Sequence, residues 1–420
     1  FINDDYVKFL RYGQYFIEKN GSGVLAFINP HGFLDNPTFR GMRWNLLKTY
    51  DKIYTIDLHG NAKKKETNID GSVDANVFDI EQGVSINIFV KTAAKKSNEL
   101  GQVFHFDLFG KRELKYDFLL INNLKSIDFK KINNLKPNYF FTSKVFEDNG
   151  YSKGFLIPDL FPLNSLGLLT KRDDLSVDFD ENSLVQKIEY FLDDTKTTEE
   201  VCKKFGLVTK DKDKWDANIT RNNVQKSEIK TQIRNFQYRP FDNRKVIYNP
   251  YFVARPNTKV LSNFKNENTG LIICRQGQAV GGDEWNVIFI CKYLVDQNIY
   301  RRGGGTIFPL YLYPQSTGQQ TIEQTNKRTP NLNLAIVDRI AKDLGLWFAP
   351  ERPDYSTQTE ETDQFYPIDI LDYIYAVLHS PTYREKYKEF LKIDFPRVPY
   401  PTNKKTFWAL VELGSKLREL

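Results

Sequence analysis

Several long hydrogen-bonding side chains in this sequence stand beside glycines. Arg275, Gln276 and Gln278 surround Gly277, with Gly281-Gly282 just beyond, and Arg301-Arg302 run into Gly303-Gly304-Gly305. Glycine lets backbone come close to a partner. Guanidinium and carboxamide groups pair bidentately with guanine and adenine edges in the major groove, at roughly 1–3 kcal/mol of discrimination each. As a group these residues are the foremost candidates for reading DNA bases; singly, each is equally well read as ordinary loop polarity. Lys63-Lys64-Lys65 could grip phosphates, which would make binding steeply salt dependent, or could be a solvated lysine run. Arg40 and Arg43 share that ambiguity, and the apolar spacing around them leaves Arg43 half on a buried face.

Other chemistries find little support. His31, His59, His105 and His379 share no metal-ligand spacing with one another or with Cys202, Cys274 and Cys291, so no metal site is expected. No P-loop, Gly-x-Ser-x-Gly elbow or carboxylate–lysine nuclease cluster stands out in the sequence. Asn249-Pro250-Tyr251-Phe252 superficially resembles a catalytic tetrapeptide but reads better as a turn between strands; Asn29-Pro30-His31 reads as a strand end.

The 420 residues exceed one ordinary core, and with 40% apolar and 14% aromatic residues the chain has material for two or three globular domains. Lys and Arg number 59 against 53 Asp and Glu, a net charge of +6 that favours a polyanionic partner only weakly. Three widely spaced cysteines form neither a disulfide framework nor a zinc site, which points to a reducing cytoplasm. No apolar run reaches membrane-span length and no signal peptide is evident. Because the sequence starts at Phe1 and has Met42 as its one methionine, it reads as a piece of a longer chain.

The elements that must position these residues begin with a helix, since Tyr6, Phe9, Leu10, Phe16 and Ile17 fall on one face. Gly21-Ser22-Gly23 stops it, and the unbroken run Val24 to Ile28 predicts a strand buried on both faces of a parallel sheet. A helix over Phe39 to Tyr50 and a strand over Lys52 to Leu58 follow. Helix and strand alternating at this density indicate an open, doubly wound α/β sheet, whose ligands sit beyond the C-terminal strand ends, here Asn29-Pro30-His31 and Asp57-Leu58-His59. Residues 59–76 read as a long mobile loop. Val84 to Val90 alternate as a half-buried antiparallel strand, with Gln102 to Leu108 able to pair beside it. Beyond residue 100 come short strands, a helix over Leu184 to Leu192, a charged segment from Lys210 to Lys230 read as a linker or exposed excursion, and two helices over Ile368 to Leu378 and Pro381 to Phe390.

Gly21 to Leu34 resembles the sixth conserved block of amino-methyltransferases acting on adenine in DNA. Met42 to Leu58, with Leu46-Leu47, Asp51-Lys52-Ile53 and Asp57-Leu58-His59-Gly60-Asn61, resembles the block that follows, and Val77-Phe78-Asp79-Ile80-Glu81-Gln82-Gly83-Val84-Ser85-Ile86 resembles the eighth. Downstream, Tyr238-Arg239-Pro240-Phe241-Asp242, Arg275-Gln276-Gly277-Gln278 and Ile374 to Arg384 look like the target-recognition region of single-polypeptide restriction-modification enzymes of the type ISP group.

This resemblance implies an α/β fragment of a doubly wound methyltransferase sheet over 1–95. A mixed α+β target-recognition domain would follow over 96–350, with a helical C-terminal part over 351–420. It implies a parent enzyme that recognises a DNA sequence and methylates adenine N6 with S-adenosylmethionine. The partners would be double-stranded DNA and the nuclease, translocase and methyltransferase parts of the same polypeptide, in the bacterial cytoplasm. The glycine-rich donor loop and the Asn/Asp-Pro-Pro-aromatic block should precede Phe1, so this chain alone should not methylate. Phe78 matches the family's second aromatic and would stack on the flipped adenine; its alternative is a phenylalanine buried under the sheet. A non-catalytic, stand-alone DNA-specificity module is the competing reading of the whole chain, and an adaptor unrelated to DNA would leave the Arg/Gln-Gly loops unexplained.

Overall fold

A computed structural model of the chain describes all residues except 1–3, 63–65, 69–70, 93, 97, 135, 137, 143–149, 213, 275–284, 301–303, 315–327, 353–362 and 392–393. It divides into two compact units, Phe1–Glu147 and Asp148–Leu420.

The first unit is an α/β sandwich around a mixed sheet. Helix α1 (Asp5–Asn20) ends where Gly21, at φ 81°, donates its N–H back to Glu18 O. This is the left-handed stop that glycine supplies without a Cβ penalty. Strand β1 (Gly23–Pro30), α2 (Arg40–Thr49), β2 (Lys52–Asp57), β3 (Val84–Lys91), β4 (Gln102–Asp107), α3 (Arg112–Ile121) and β5 (Lys130–Ile132) follow. The sheet order is β1-β3-β2-β4-β5. Strands β1, β2 and β4 share one direction, with β3 reversed between β1 and β2 and β5 reversed at the far edge.

Register builds the core. Leu25, Phe89, Ile53 and Val103 stand side by side across four strands and pack against Leu10 of α1 and Leu46 and Leu47 of α2. On the other face, Ile86, Ile56 and Phe106 meet Phe118 and Leu119 of α3. Helices therefore cover both faces, as expected for an α/β layer fold.

Three expectations for this unit are corrected. Among the described residues β1 pairs only with β3, so it is an edge strand with Val24 61% and Ile28 50% exposed; a continuous apolar run specifies a strand but not its neighbours. The α/β portion does not end near residue 95, because β4 and β5 belong to its sheet. Strand β4 lies beside β2 rather than β3, because Gly101 donates to Leu47 O and Gln102 to Asp51 O at the α2–β2 corner, starting a parallel pairing there. A Cβ on Gly101 would stand 2.2 Å from Tyr50 O, so that approach requires glycine.

The principal elements of the second unit are, in chain order, β6 (Ser165–Leu166), β7 (Val177–Asp178), α4 (Glu181–Phe191), α5 (Ala217–Asn223), β8 (Ile233–Arg239), β9 (Asp242–Ile247), β10 (Gly270–Ile273), β11 (Ile288–Cys291), β12 (Leu294–Val295), β13 (Thr306–Pro309), α6 (Leu334–Leu344), α7 (Pro367–His379), α8 (Pro381–Leu391) and α9 (Lys404–Glu419). They form sheets of order β12-β8-β9-β7 and β11-β10-β13-β6. The C-terminal helices do not stand apart as 351–420: Ile370, Ile374 and Leu378 of α7 share one core with Leu271, Ile288 and Phe308 of the second sheet.

The segment from Lys210 to Lys230 is also more than a linker. Trp215, Ala217, Val224 and Ile229 are buried with Leu184, Ile188 and Phe191 of α4, and Arg172 covers the Trp215 ring at 4.5 Å. Its charges hide a sparse inward-facing apolar set. Asn249 to Phe252 forms the expected turn, with Phe252 N–H donating to Asn249 O and the Phe252 side chain buried.

Candidate functional site

The first unit concentrates buried polar groups towards the C-terminal ends of its parallel strands. On the same face as the apolar row of Leu25 and Phe89, the next register row holds Phe27, Asn87, Thr55 and His105. The one after holds Asn29, Ser85, Asp57 and Asp107. Buried polar groups must find partners within the protein. Asn87 Nδ2 accordingly donates to Asn29 Oδ1 and Ser85 Oγ, each at 2.9 Å, and Thr55 Oγ1 lies 2.8 Å from His105 Nδ1.

The strand ends then converge on a histidine–carboxylate network. Asn61 Nδ2 faces His31 Nε2 at 3.2 Å, which leaves His31 Nδ1 to donate to Asp57 Oδ1 at 2.9 Å. Asp107 Oδ1 takes hydrogen bonds from His59 Nε2 at 2.9 Å and His105 Nε2 at 3.0 Å. The other His59 nitrogen lies 3.9 Å from Asp57 Oδ2 and 3.8 Å from Glu66 Oε2, and the ring stacks on Phe109 with centroids 3.9 Å apart. Burial, the largest single influence, would favour neutral His59; its bonds to Asp107 and Glu66 and the charge of Asp57 outweigh it and push the imidazole up to about 10. Burial would likewise raise Asp107, yet the bonds from His105 and His59 hold it far below the usual carboxylate range.

Three of the four histidines, which share no metal-ligand spacing in sequence, are nevertheless brought together at the strand ends. His31, Asp57 and His59 offer one ligand atom apiece within 4.8 Å of each other, since β1 and β2, parallel strands on either side of β3, end at one place whatever the length of chain between them. Hydrogen bonds to Asp57, Asn61 and Asp107 occupy these rings in the arrangement described.

Phe78 lies in the β2–β3 connection, at the same end of the sheet as these strand termini. It is 43% exposed, so it is not a phenylalanine buried under the sheet. The approach to it is not a mobile loop throughout. Lys115 of α3, fully buried, pairs with Asp74 at 2.8 Å and donates to Leu58 O at 2.6 Å. The same helix face holds successive carbonyls: Lys115 bonds Ala75 O, Arg112 bonds Asn76 O and Phe78 O, and Tyr116 bonds Val77 O.

The other candidates separate. Arg40 is exposed at the start of α2. Arg43 is fully buried: Nε donates to Asn138 O at 2.9 Å, and Nη1 donates to Phe33 O and Asn36 O at 2.7 and 2.8 Å. It is a structural strut that ties three backbone carbonyls, and is withdrawn as a DNA contact. Lys63, Lys64, Lys65, Arg275, Gln276, Gln278, Arg301 and Arg302 lie outside the described residues. Their anchors can still be placed. Ile273, where β10 ends before segment 275–284, pairs with Thr306, where β13 begins after 301–303, and with Ile288 at the start of β11. The anchors of 275–284, which carries arginine, glutamine and glycine, and of Arg301-Arg302-Gly303 therefore lie at one end of one sheet.

Residues 159–420 match the family model of the type ISP C-terminal specificity domain. The chain belongs to this family. The two Arg/Gln segments fall inside the specificity domain, and the histidine network lies before its start. Among solved structures, the whole chain is similar in fold to part of the ATP-dependent type ISP restriction-modification enzyme LlaBIII bound to DNA (TM-score 0.67, 20% identity, 26% of that chain covered). It is also similar to DrdV in a DNA complex (0.67, 22%, 40%) and to a nuclease-deletion mutant of the type ISP enzyme LlaGI with a DNA substrate mimic (0.63, 21%, 31%). The chain thus spans between about a quarter and two fifths of these relatives. No curated protein matches it.

The strand-end network was only half legible. The strand ends were marked as the ligand position of an open α/β sheet, but the polar residues themselves were missed. Their signal was parity: Asn29, Thr55, Asp57, Ser85, Asn87, His105 and Asp107 all occupy the side of their strands that also bears Leu25, Ile53, Phe89 and Val103.

Proposed function

We propose that this chain is the recognition part of a type ISP restriction-modification enzyme that methylates adenine N6, with the second unit reading the duplex and the first forming one wall of the methyl-transfer site. The observation that carries the reading is the specificity-domain match over residues 159–420. The convergence of the anchors of 275–284 and 301–303 on one sheet end supports it.

The amino group of adenine is a weak nucleophile because its lone pair is delocalised into the ring. An enzyme acting on it must extrude the base and hold it flat, at a cost of a few kcal/mol. Phe78 would offset part of that cost by stacking, at roughly 1–3 kcal/mol, and its exposure beside the strand ends suits the role. S-adenosylmethionine would supply the methyl group. The carboxylates Asp57, Glu66 and Asp107 are committed to histidines here, so they make a network rather than a donor pocket, and no step is assigned to them. The polarising and donor-binding blocks would come from the methyltransferase part of the parent polypeptide, beside its nuclease and translocase parts.

Selection of bound duplexes from a random pool tests the reading. The expected result is enrichment of one site with salt-dependent affinity; Arg275→Ala should then relax preference at one position at a cost of about 1–3 kcal/mol. A pool without enrichment and without salt-dependent binding would overturn it.

A further inference from the structure

The turn between β8 and β9 is built against the ordinary preferences of a hairpin. Arg239 and Asp242 are paired, leaving Pro240-Phe241 as the two central residues. Phe241 has φ 63° and is 100% exposed. Left-handed backbone after a proline is the place for glycine or asparagine, and a bulky residue there is a conformational outlier. Strain of this kind persists where the surroundings impose it, and it clusters at functional positions. Exposing a whole aromatic ring to water adds a second cost. Neither cost returns anything to the fold, because the ring packs on nothing.

Beneath the tip the hairpin is stiff and basic. Arg239 lies over the Tyr238 ring at 3.9 Å, and Arg244 lies over Tyr238 at 4.2 Å and Phe179 at 4.3 Å while chelating Asp242. Tyr238 is itself fixed through its hydroxyl to Asp173 at 2.7 Å. Ile233 to Ile247 carries Arg234, Arg239, Arg244 and Lys245, of which Arg244 pairs with Asp242 and Arg239 lies 3.3 Å from Asp296. Flanking strands pair at Phe236-Gln237 and at Lys245-Val246, so only the tip between them is two-stranded; a two-stranded ribbon fits a groove of duplex DNA, and an apolar side chain at its end is the device by which DNA-bending proteins part a base step.

We propose that this hairpin docks on the duplex and that Phe241 enters the base stack as a wedge. The proposal rests on the DNA-recognition reading and adds to it a contact that senses base-step deformability rather than base edges. Such a contact favours easily unstacked pyrimidine–purine steps.

The test uses the chain with its selected duplex, carrying 2-aminopurine at successive positions. Wild type is expected to raise the fluorescence at one step as that base unstacks. Phe241→Ala and Phe241→Gly should abolish the rise and weaken binding roughly 5- to 150-fold, the range that base–aromatic stacking supplies, while Phe241→Trp keeps both. The glycine variant relieves the left-handed backbone and should melt no lower than wild type, which separates lost contact from lost fold. If Ala and Gly variants bind and unstack DNA as wild type does, the wedge is overturned, and a seat for Phe241 on another protein surface is the remaining account. If wild type itself binds no duplex, the recognition reading falls and takes the wedge with it.

Discussion

In the first unit, Asn29, Ser85, Asp57 and Asp107 form one register row, following on the same face the row of Asn87, Thr55 and His105, while the row between them, of Ile28, Ile86, Ile56 and Phe106 on the opposite face, is apolar. In the second unit β10 is buried along its whole length, and the arginines and glutamines begin where its strands stop. The two units therefore hold polar chemistry by different means. Groups mounted on strands inherit the precision of the hydrogen-bond ladder, which here fixes the histidine–carboxylate network. Residues between strands can be exchanged with little harm to the scaffold beneath, which on the proposed reading suits a surface that reads different sequences.

The sharpest way to break this comparison is to cut the support of the strand-end site. Lys115→Met leaves Asp74 charged and buried, and should destabilise the first unit by about 3–5 kcal/mol. Hydrogen exchange across β2, β3 and α3 would report it, and unaltered protection there would show that the network is not structural. Next in size, Arg43→Ala leaves the carbonyls of Phe33, Asn36 and Asn138 short of a donor. It should cost about 2–4 kcal/mol by chemical denaturation without changing the salt dependence of DNA binding; a shallower salt slope would return Arg43 to the interface. The smallest effect is a proton. With its imidazole pushed up to about 10 from an ordinary 6.5, His59 should stay charged throughout neutral pH. Its contribution to stability is complete below 6.5 and is lost as pH rises through about 10. Ring resonances that titrate near 6.5 would show that Asp107 and Glu66 do not hold it.

Much of the fold was legible because periodicity reports local structure well. The spacing of Phe9, Leu10 and Phe16 gave α1, and the alternation of Val84 to Val90 gave β3. Partnership was less legible. Nothing in Gln102 to Leu108 says that it should lie along β2, because that pairing is decided by Gly101 fitting under Tyr50. The same limit applied to the site. His31 and His59 stood where strand ends were expected to carry function, but their meeting through Asp57 depends on strand order, and sequence spacing is blind to that. Arg43 was ambiguous for another reason: a helical wheel places a side chain on a face but does not reveal three carbonyls waiting at the end of it.

The grip of α3 on the segment leading to Phe78 bears on how a substrate would be met. Lys115, Arg112 and Tyr116 seize every carbonyl from Ala75 to Phe78, so this stretch has little freedom beyond the side-chain torsions of Phe78. The entropy of ordering it is spent during folding and not during the encounter with DNA. Helix α3 acts as a ruler that sets how far the ring can reach; on the proposed reading, an extruded base would travel to Phe78 rather than Phe78 to the base.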